Sequence, residues 1–177
     1  TGVVQAEALA ARMADVPLDA VYASTLKRAR QTADLLANPH GLVPRILPDL
    51  VEMAWSNLEG KPISEFADYL KEVGDEWKAG RFDHRIGGGE SILDVEARAQ
   101  AAWLHLNDSH ADGDTAFVVT HGRFLRVLLT VALADRGLAD MDHFSHSNTG
   151  VYRLERSAGV WTLTLTNCTT HLEVVPQ

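Results

Sequence analysis

Residues 115–126, TAFVVTHGRFLR, decide how the rest of the chain is read. Residues 117–119 are apolar and β-prone, Thr120-His121-Gly122 breaks the run, and an amphipathic period starts at once behind it. Such a pattern predicts a buried strand that delivers its end to a helix N-terminus. In open α/β sheets that is where ligands bind. The first amides of a helix lack intrahelical acceptors and its dipole favours an anion, so a histidine at that point suits a phosphate or carboxylate. His121 is therefore the first candidate for a functional residue, and a histidine that merely caps the turn is the alternative.

Working outward, strands alternate with helices. A helix opens the chain with Val3, Val4, Ala8, Leu9 and Met13 at helical spacing, and Pro17 closes it. Residues 20–23 predict a short strand, followed by Ser24-Thr25 as N-cap candidates for a helix over 26–37 with Leu26, Ala29, Ala33 and Leu36 as its stripe. A strand is expected at 43–47, an irregular loop at 52–62 holding Trp55 and Leu58 against the body, and two helices at 63–71 and 72–79. Gly87-Gly88-Gly89 reads as a flexible loop, and Ser91 with Asp94 three residues on reads as a capping box. Val95, Ala99, Ala102, Trp103 and Leu106 form the stripe of the helix that follows. The helix after His121 is expected to run to about residue 134. Residues 151–155 and 160–166 alternate and predict a hairpin at the sheet edge. The expected fold class is α/β, a three-layer α/β/α sandwich with a mostly parallel central sheet and a C-terminal hairpin, built as one domain over 1–177.

Composition narrows the function. The chain has 177 residues, 46% hydrophobic and 23% charged, enough for one sizeable core. Its formal charge of −8 argues against nucleic acid as a partner and means that an anionic substrate needs a local cluster of cations. No apolar run approaches the roughly 20 residues of a membrane span, so no membrane partner is expected. One cysteine, Cys168, fits a reducing compartment, and a cytoplasmic location is expected.

Two further stretches carry chemistry. In residues 22–32, YASTLKRARQT, three cations (Lys27, Arg28, Arg30) crowd the first turn of a helix, where the dipole disfavours them. A bound anion would offset that cost, and arginine grips phosphate oxygens with a two-pronged fork. Arg28, nearest the strand end, is the expected ligand, with Arg30 a solvated face residue. Glu52 follows the third strand beside Met53, Ala54 and Trp55, surroundings that raise a carboxyl pKa toward what a general acid needs. Glu59 competes with it on composition. His143 and His146 stand three apart, but nothing completes a metal sphere, so they are read as rim or surface residues and no metal is expected.

Together, YASTLKRARQTA, LVEMAWSNLEG, GGGES, VVTHGRFLRVLL and SNTGV resemble, in order and spacing, the histidine phosphatase superfamily with its phosphoglycerate mutase-like fold. The resemblance implies that a phosphoryl group passes to a histidine while an acid protonates the leaving oxygen. By motif, Arg28 would be the pocket arginine, Glu52 the proton donor and His121 the second histidine, with the Gly122 amide close to the phosphate. It further implies no cofactor and a possible homodimer. The family's Arg-His-Gly strand, whose histidine is the nucleophile, has no counterpart in residues 1–177, and that segment is expected upstream of Thr1 in a longer protein. The short span between Glu52 and Gly89 resembles the phosphatases, hydrolysing a small phosphomonoester. A cofactor-dependent phosphoglycerate mutase, or an inactive member that binds a phosphorylated ligand, is the alternative. Trp77, Phe82 and Phe144 are expected at the pocket mouth.

Overall fold

In the computed structural model, which describes residues 2–173, ten helices and strands follow one another as α1 (Gly2–Met13), β1 (Ala20–Ala23), α2 (Lys27–Ala37), β2 (Arg45–Ile46), α3 (Ala67–Lys78), α4 (Ile92–Asp108), β3 (Ala116–Val119), α5 (Gly122–Ala132), β4 (Val151–Ser157) and β5 (Val160–Cys168). β1, β2 and β3 form a parallel sheet in the order β2-β1-β3. β1 is the middle strand and all four of its residues are buried.

The period of two along the strands sorts side chains between two layers. Ala20 and Tyr22 of β1, with Ala116 and Val118 of β3, point to one side, where Val95, Ala99 and Ala102 of α4 and Phe124 and Val127 of α5 complete a core. Val21 and Ala23, with Phe117 and Val119, point to the other, against Leu9 of α1 and Ala33 and Leu36 of α2. Helices therefore cover both faces of the sheet, as the alternation of elements predicts. Long apolar side chains on both faces of a strand leave it no solvent side, the pattern of a parallel sheet.

Several local expectations are corrected. Val3 and Val4 are exposed, and α1 buries Ala6, Leu9 and Ala10 instead, because small alanines allow its close approach to α2. The strand expected at 43–47 is reduced to Arg45–Ile46; it pairs only with β1, and Val43 is exposed. The two helices expected at 63–71 and 72–79 are one helix, α3, preceded by a 3-10 turn at Ile63–Glu65. Phe66, at φ −142°, separates turn from helix, whereas Val73 and Trp77, four apart and both buried, keep α3 continuous through residue 72. The hairpin β4-β5 forms but stands as its own two-stranded antiparallel sheet.

A cleft of about 1780 Å³ runs between the β3 edge and β4, bounded also by α1 and α2. Among the described residues β3 is paired on one edge only, with β1, and each of its four residues is half-buried, unlike those of β1. No described helix is long and apolar enough to cross a membrane.

Candidate active site

All three parallel strands release their candidate residues from their carboxyl ends, on one side of the sheet. Ser24 and then Arg28 follow β1, Glu52 follows β2 by a short 3-10 turn at Pro48–Leu50, and His121 follows β3 directly. Parallel alignment brings these ends together, the place where α/β proteins bind ligands. Arg28, Glu52, His121 and Gly122 all line the inner end of the cleft.

His121 is buried, only 8% exposed, and its Nε2 lies 2.7 Å from the hydroxyl of the fully buried Ser24. It is the N-cap residue of α5, yet its side chain makes no capping hydrogen bond, so the ring serves the cleft and does not close the helix. Burial, then the charge of Arg28, holds its pKa below the ordinary 6.5, against a weaker upward pull from Glu52. Burial and the guanidinium charges of Arg28 and Arg98 favour the neutral ring, so Arg28, Glu52, Arg98 and His121 share one electrostatic neighbourhood.

Ser24 corrects an expectation. The residue preceding α2 is Leu26, without a side-chain cap, and neither Ser24 nor Thr25 occupies that position. The Ser24 hydroxyl accepts the Leu26 amide at 3.3 Å while reaching His121 across the sheet. Of the three cations at the start of α2, Arg28 lines the cleft whereas Lys27 and Arg30 do not. Arg28 is exposed along its length, so its guanidinium is accessible to a soluble anion.

Glu52 is brought to α5 from 71 residues away. Its Oε2 accepts the Arg123 amide at 3.2 Å and its Oε1 accepts the Phe124 amide at 3.0 Å. The same Oε1 accepts the Met53 amide at 2.9 Å. The carboxylate thus occupies the favourable anion position at the N-terminus of α5. The helix start proposed from sequence as a phosphate cradle is filled at those two amides by a side chain of the protein itself. Glu59, the competing carboxylate, is engaged elsewhere: its Oε1 accepts the Trp55 amide at 3.0 Å. Trp55 and Leu58 pack on the core as expected.

His146, read from sequence as a rim or surface residue, lines the cleft. A Cβ added to Gly122 would sit 2.4 Å from His146 Nε2, so the imidazole lies flat against the glycine beside His121. Its Nδ1 is 3.1 Å from Arg126 Nη2, and Arg126 in turn bonds Asp142 at 2.8 Å. An arginine can only donate, so Nδ1 is the acceptor and Nε2 carries the hydrogen that faces the cleft. Burial, followed by Arg126, lowers the pKa of His146. His143 pairs separately with Asp140, so the two rings serve different partners. The signal for His146 was the glycine: HG at 121–122 leaves room for a ring over its Cα.

Two other expectations fail on burial. Trp77 lies in the core under the Arg123 guanidinium, with its indole N–H bonded to His84 O at 2.9 Å, and Phe144 packs against Leu129 and Leu133. Neither is free for substrate. Gly87-Gly88-Gly89 is not a loose loop either. A Cβ at Gly87 would meet Trp55 O at 2.4 Å and one at Gly89 would meet Ala54 O at 2.1 Å, so absent side chains let this turn lie against the segment that carries Glu52.

Comparison with known proteins adds to this geometry. Residues 1–169 match the family described as histidine phosphatase superfamily (branch 1). The chain is 29% identical over 172 residues to phosphoglycerate mutase-like protein 4 of Arabidopsis thaliana, covering 96% of this chain and 73% of that protein. It is 35% identical over 132 residues to the metal-independent phosphoserine phosphatase of the same plant, covering 72% of this chain and 54% of that protein. Among solved structures it superposes with a mycobacterial glucosyl-3-phosphoglycerate phosphatase in complex with inorganic phosphate at a TM-score of 0.83, covering 96% of this chain and 86% of that one at 23% identity.

Proposed function

The chain belongs to the histidine phosphatase superfamily, and on that premise we propose that it hydrolyses a small phosphomonoester through a phosphohistidine intermediate. The observation that carries this reading is the convergence of Arg28, Glu52 and His121 at the carboxyl ends of three parallel strands. Phosphoryl transfer asks mainly for positioning and for charge stabilisation of the equatorial oxygens. Arg28 supplies the cationic fork. His121 lies beside it, oriented by Ser24, and adds a neutral ring at the phosphoryl group. Glu52, once protonated, gives its proton to the leaving oxygen. Fixing it to the amides of α5 sets where that oxygen must lie. His146 Nε2–H, at the same end of the cleft, is a further donor to a phosphoryl oxygen.

In this proposal the nucleophile is a histidine of the family's Arg-His-Gly segment, and β3 leaves a place for the strand that carries it: among the described residues its second edge faces the cleft opposite β4, and natural proteins cover or pair such edges. We place this activity in the cytoplasm, a compartment that a chain with a single cysteine fits.

The test is a rapid quench of the full-length protein with a phosphomonoester. Acid-labile, alkali-stable label on the protein is expected within the first turnover, together with release of inorganic phosphate. Absence of a phosphoprotein during steady hydrolysis would overturn the covalent route. Conversion of 3-phosphoglycerate to its isomer, without net phosphate release, would make the protein a mutase.

A further inference from the structure

The reading of Glu52 as proton donor requires that something hold it, because it stands on an irregular segment between Leu50 and the 3-10 turn at Ser56–Leu58. Two residues outside the cleft meet this need. Arg98 of α4 donates through Nη1 to Asp49 O at 2.7 Å and to Val51 O at 3.0 Å, the carbonyl immediately before Glu52. Its Nε and Nη2 grip both oxygens of Glu90 at 2.7 and 2.9 Å. Glu90 then reaches the other side of Glu52: its Oε2 accepts the Ala54 amide at 2.8 Å, and its own amide donates to Ala54 O at 2.9 Å. The Arg98 guanidinium also lies over the ring of Phe124, 4.9 Å from its centroid. Phe124 is one of the two residues whose amides hold the Glu52 carboxylate.

We propose that Arg98 and Glu90 are a positioning pair that fixes Glu52 at the N-terminus of α5. This inference rests on the assignment of Glu52 as the acid. One guanidinium uses its whole fork at once, on a carboxylate on one side and on two backbone carbonyls on the other, which a lysine cannot reproduce. The pair is mostly shielded, with side-chain exposures of 18% for Arg98 and 21% for Glu90, so water competes weakly for these bonds. Its anchor is α4, whose start is fixed by the Ser91–Asp94 capping box directly after Glu90. Gly89 is part of the same device, since any side chain there would strike Ala54 O and push Glu90 away. The pair touches no reacting atom. Its effect on Glu52 passes through the backbone on either side of that residue, and a displacement of about 1 Å there is enough to cost on the order of 100-fold in rate.

Two measurements test this, one of them independent of turnover. In the first, the backbone amide resonances of Arg123 and Phe124 are followed by heteronuclear NMR as pH is lowered. In the wild-type protein both shift together as Glu52 protonates, and in Glu52→Gln they do not. In Glu90→Gln, which keeps size and shape, and in Arg98→Lys, which keeps the charge but loses the fork, the shared response should fall to less than about half while the thermal midpoint shows that the fold is retained. Wild-type titration of both amides in both variants overturns the proposal.

The second measurement compares kcat on phenyl phosphate, a poor leaving group, with kcat on 4-nitrophenyl phosphate, in the full-length protein. Glu52→Gln, Glu90→Gln and Arg98→Lys should each lose about 10-fold more on the first than on the second, because only the poor leaving group needs the proton. Equal losses on both from the pair variants, with selective loss in Glu52→Gln, reduce the pair to a structural role and overturn the proposal. If Glu52→Gln itself shows no selectivity, the acid assignment fails, and the amide titration alone decides whether the pair positions the carboxylate.

Discussion

Two helix starts face the same cleft and are treated in opposite ways. α5 begins with its Arg123 and Phe124 amides bonded to the Glu52 carboxylate, an anion supplied by the protein. α2 begins with Lys27, Arg28 and Arg30 and no side-chain cap, and the hydroxyl that accepts the amide of Leu26, that of Ser24, is shared with His121. The same backbone physics, unpaired amides and a positive dipole end, is neutralised in the first and reinforced with cations in the second. The difference locates the anion. In the proposed reaction a phosphoryl group is drawn toward the cationic start of α2, and the carboxylate on α5 faces the leaving oxygen. His121 links the two regions: its ring meets Ser24 at the end of β1, and its backbone caps α5. A third helix start, that of α4, is closed locally by Ser91 and Asp94 and does not line the cleft.

Substitutions at these positions break or sharpen that contrast to different degrees. The largest effect is expected at the residue that links the two regions. His121→Ala should lower kcat by roughly 100- to 1000-fold, the usual effect of removing one group that stabilises a transferring centre. Its thermal midpoint should move far less, and an unchanged turnover would take His121 out of the site. Next is the closed start. Glu52→Ala strips two helix amides of a charged acceptor and should cost about 1–3 kcal/mol of unfolding free energy, read from chemical denaturation. Retained stability would mean that water replaces the carboxylate.

At the open start, Arg28→Lys keeps the charge but loses the fork and should weaken vanadate or phosphate binding about 10-fold, measured by inhibition or calorimetry. Full affinity would return Arg28 to the surface. Ser91→Ala, at the helix start that does not line the cleft, should cost about 1 kcal/mol and leave anion affinity as it was. Any loss of affinity there would mean that the three starts are coupled.

The smallest effect concerns pH. His121 and His146 are both held below the ordinary 6.5, chiefly by burial. Groups with a depressed folded pKa bind fewer protons when folded, so their contribution is complete above 6.5 and is lost as pH falls through the folded values. Stability should therefore decline from about pH 6.5 downward, before the carboxylates titrate. In His121→Asn that decline should be shallower, and an identical slope would assign it to His146 and His171, whose pKa is also lowered by burial.

The three helix starts also mark the limit of what was legible. The capping box at Ser91 was readable because its two partners are three residues apart and meet whenever a helix forms. Arg28 was readable from its excess of charge at a predicted helix start. The Glu52 contact joins residues 71 and 72 positions apart, and nothing local encodes it. The same holds for Ser24, misread as a cap because its hydroxyl finds His121, 97 residues on. Trp77 and Phe144 were misplaced at the pocket mouth because an aromatic in a loop-rich region looks alike in sequence whether it lines a pocket or fills a core.

The sequence by itself determined the period-two strands, the period-3.6 helices, their alternation into a parallel sheet and the motifs that mark the superfamily. Backbone sterics and side-chain periodicity act within a few residues, so they can be read along the chain. Only the tertiary structure decided that His146 lies on Gly122 and that Arg98 and Glu90 bracket Glu52. Those contacts depend on which strand ends and helix starts share a side of the sheet. That is a property of the closed topology, fixed when the whole core packs and not by any stretch of residues alone.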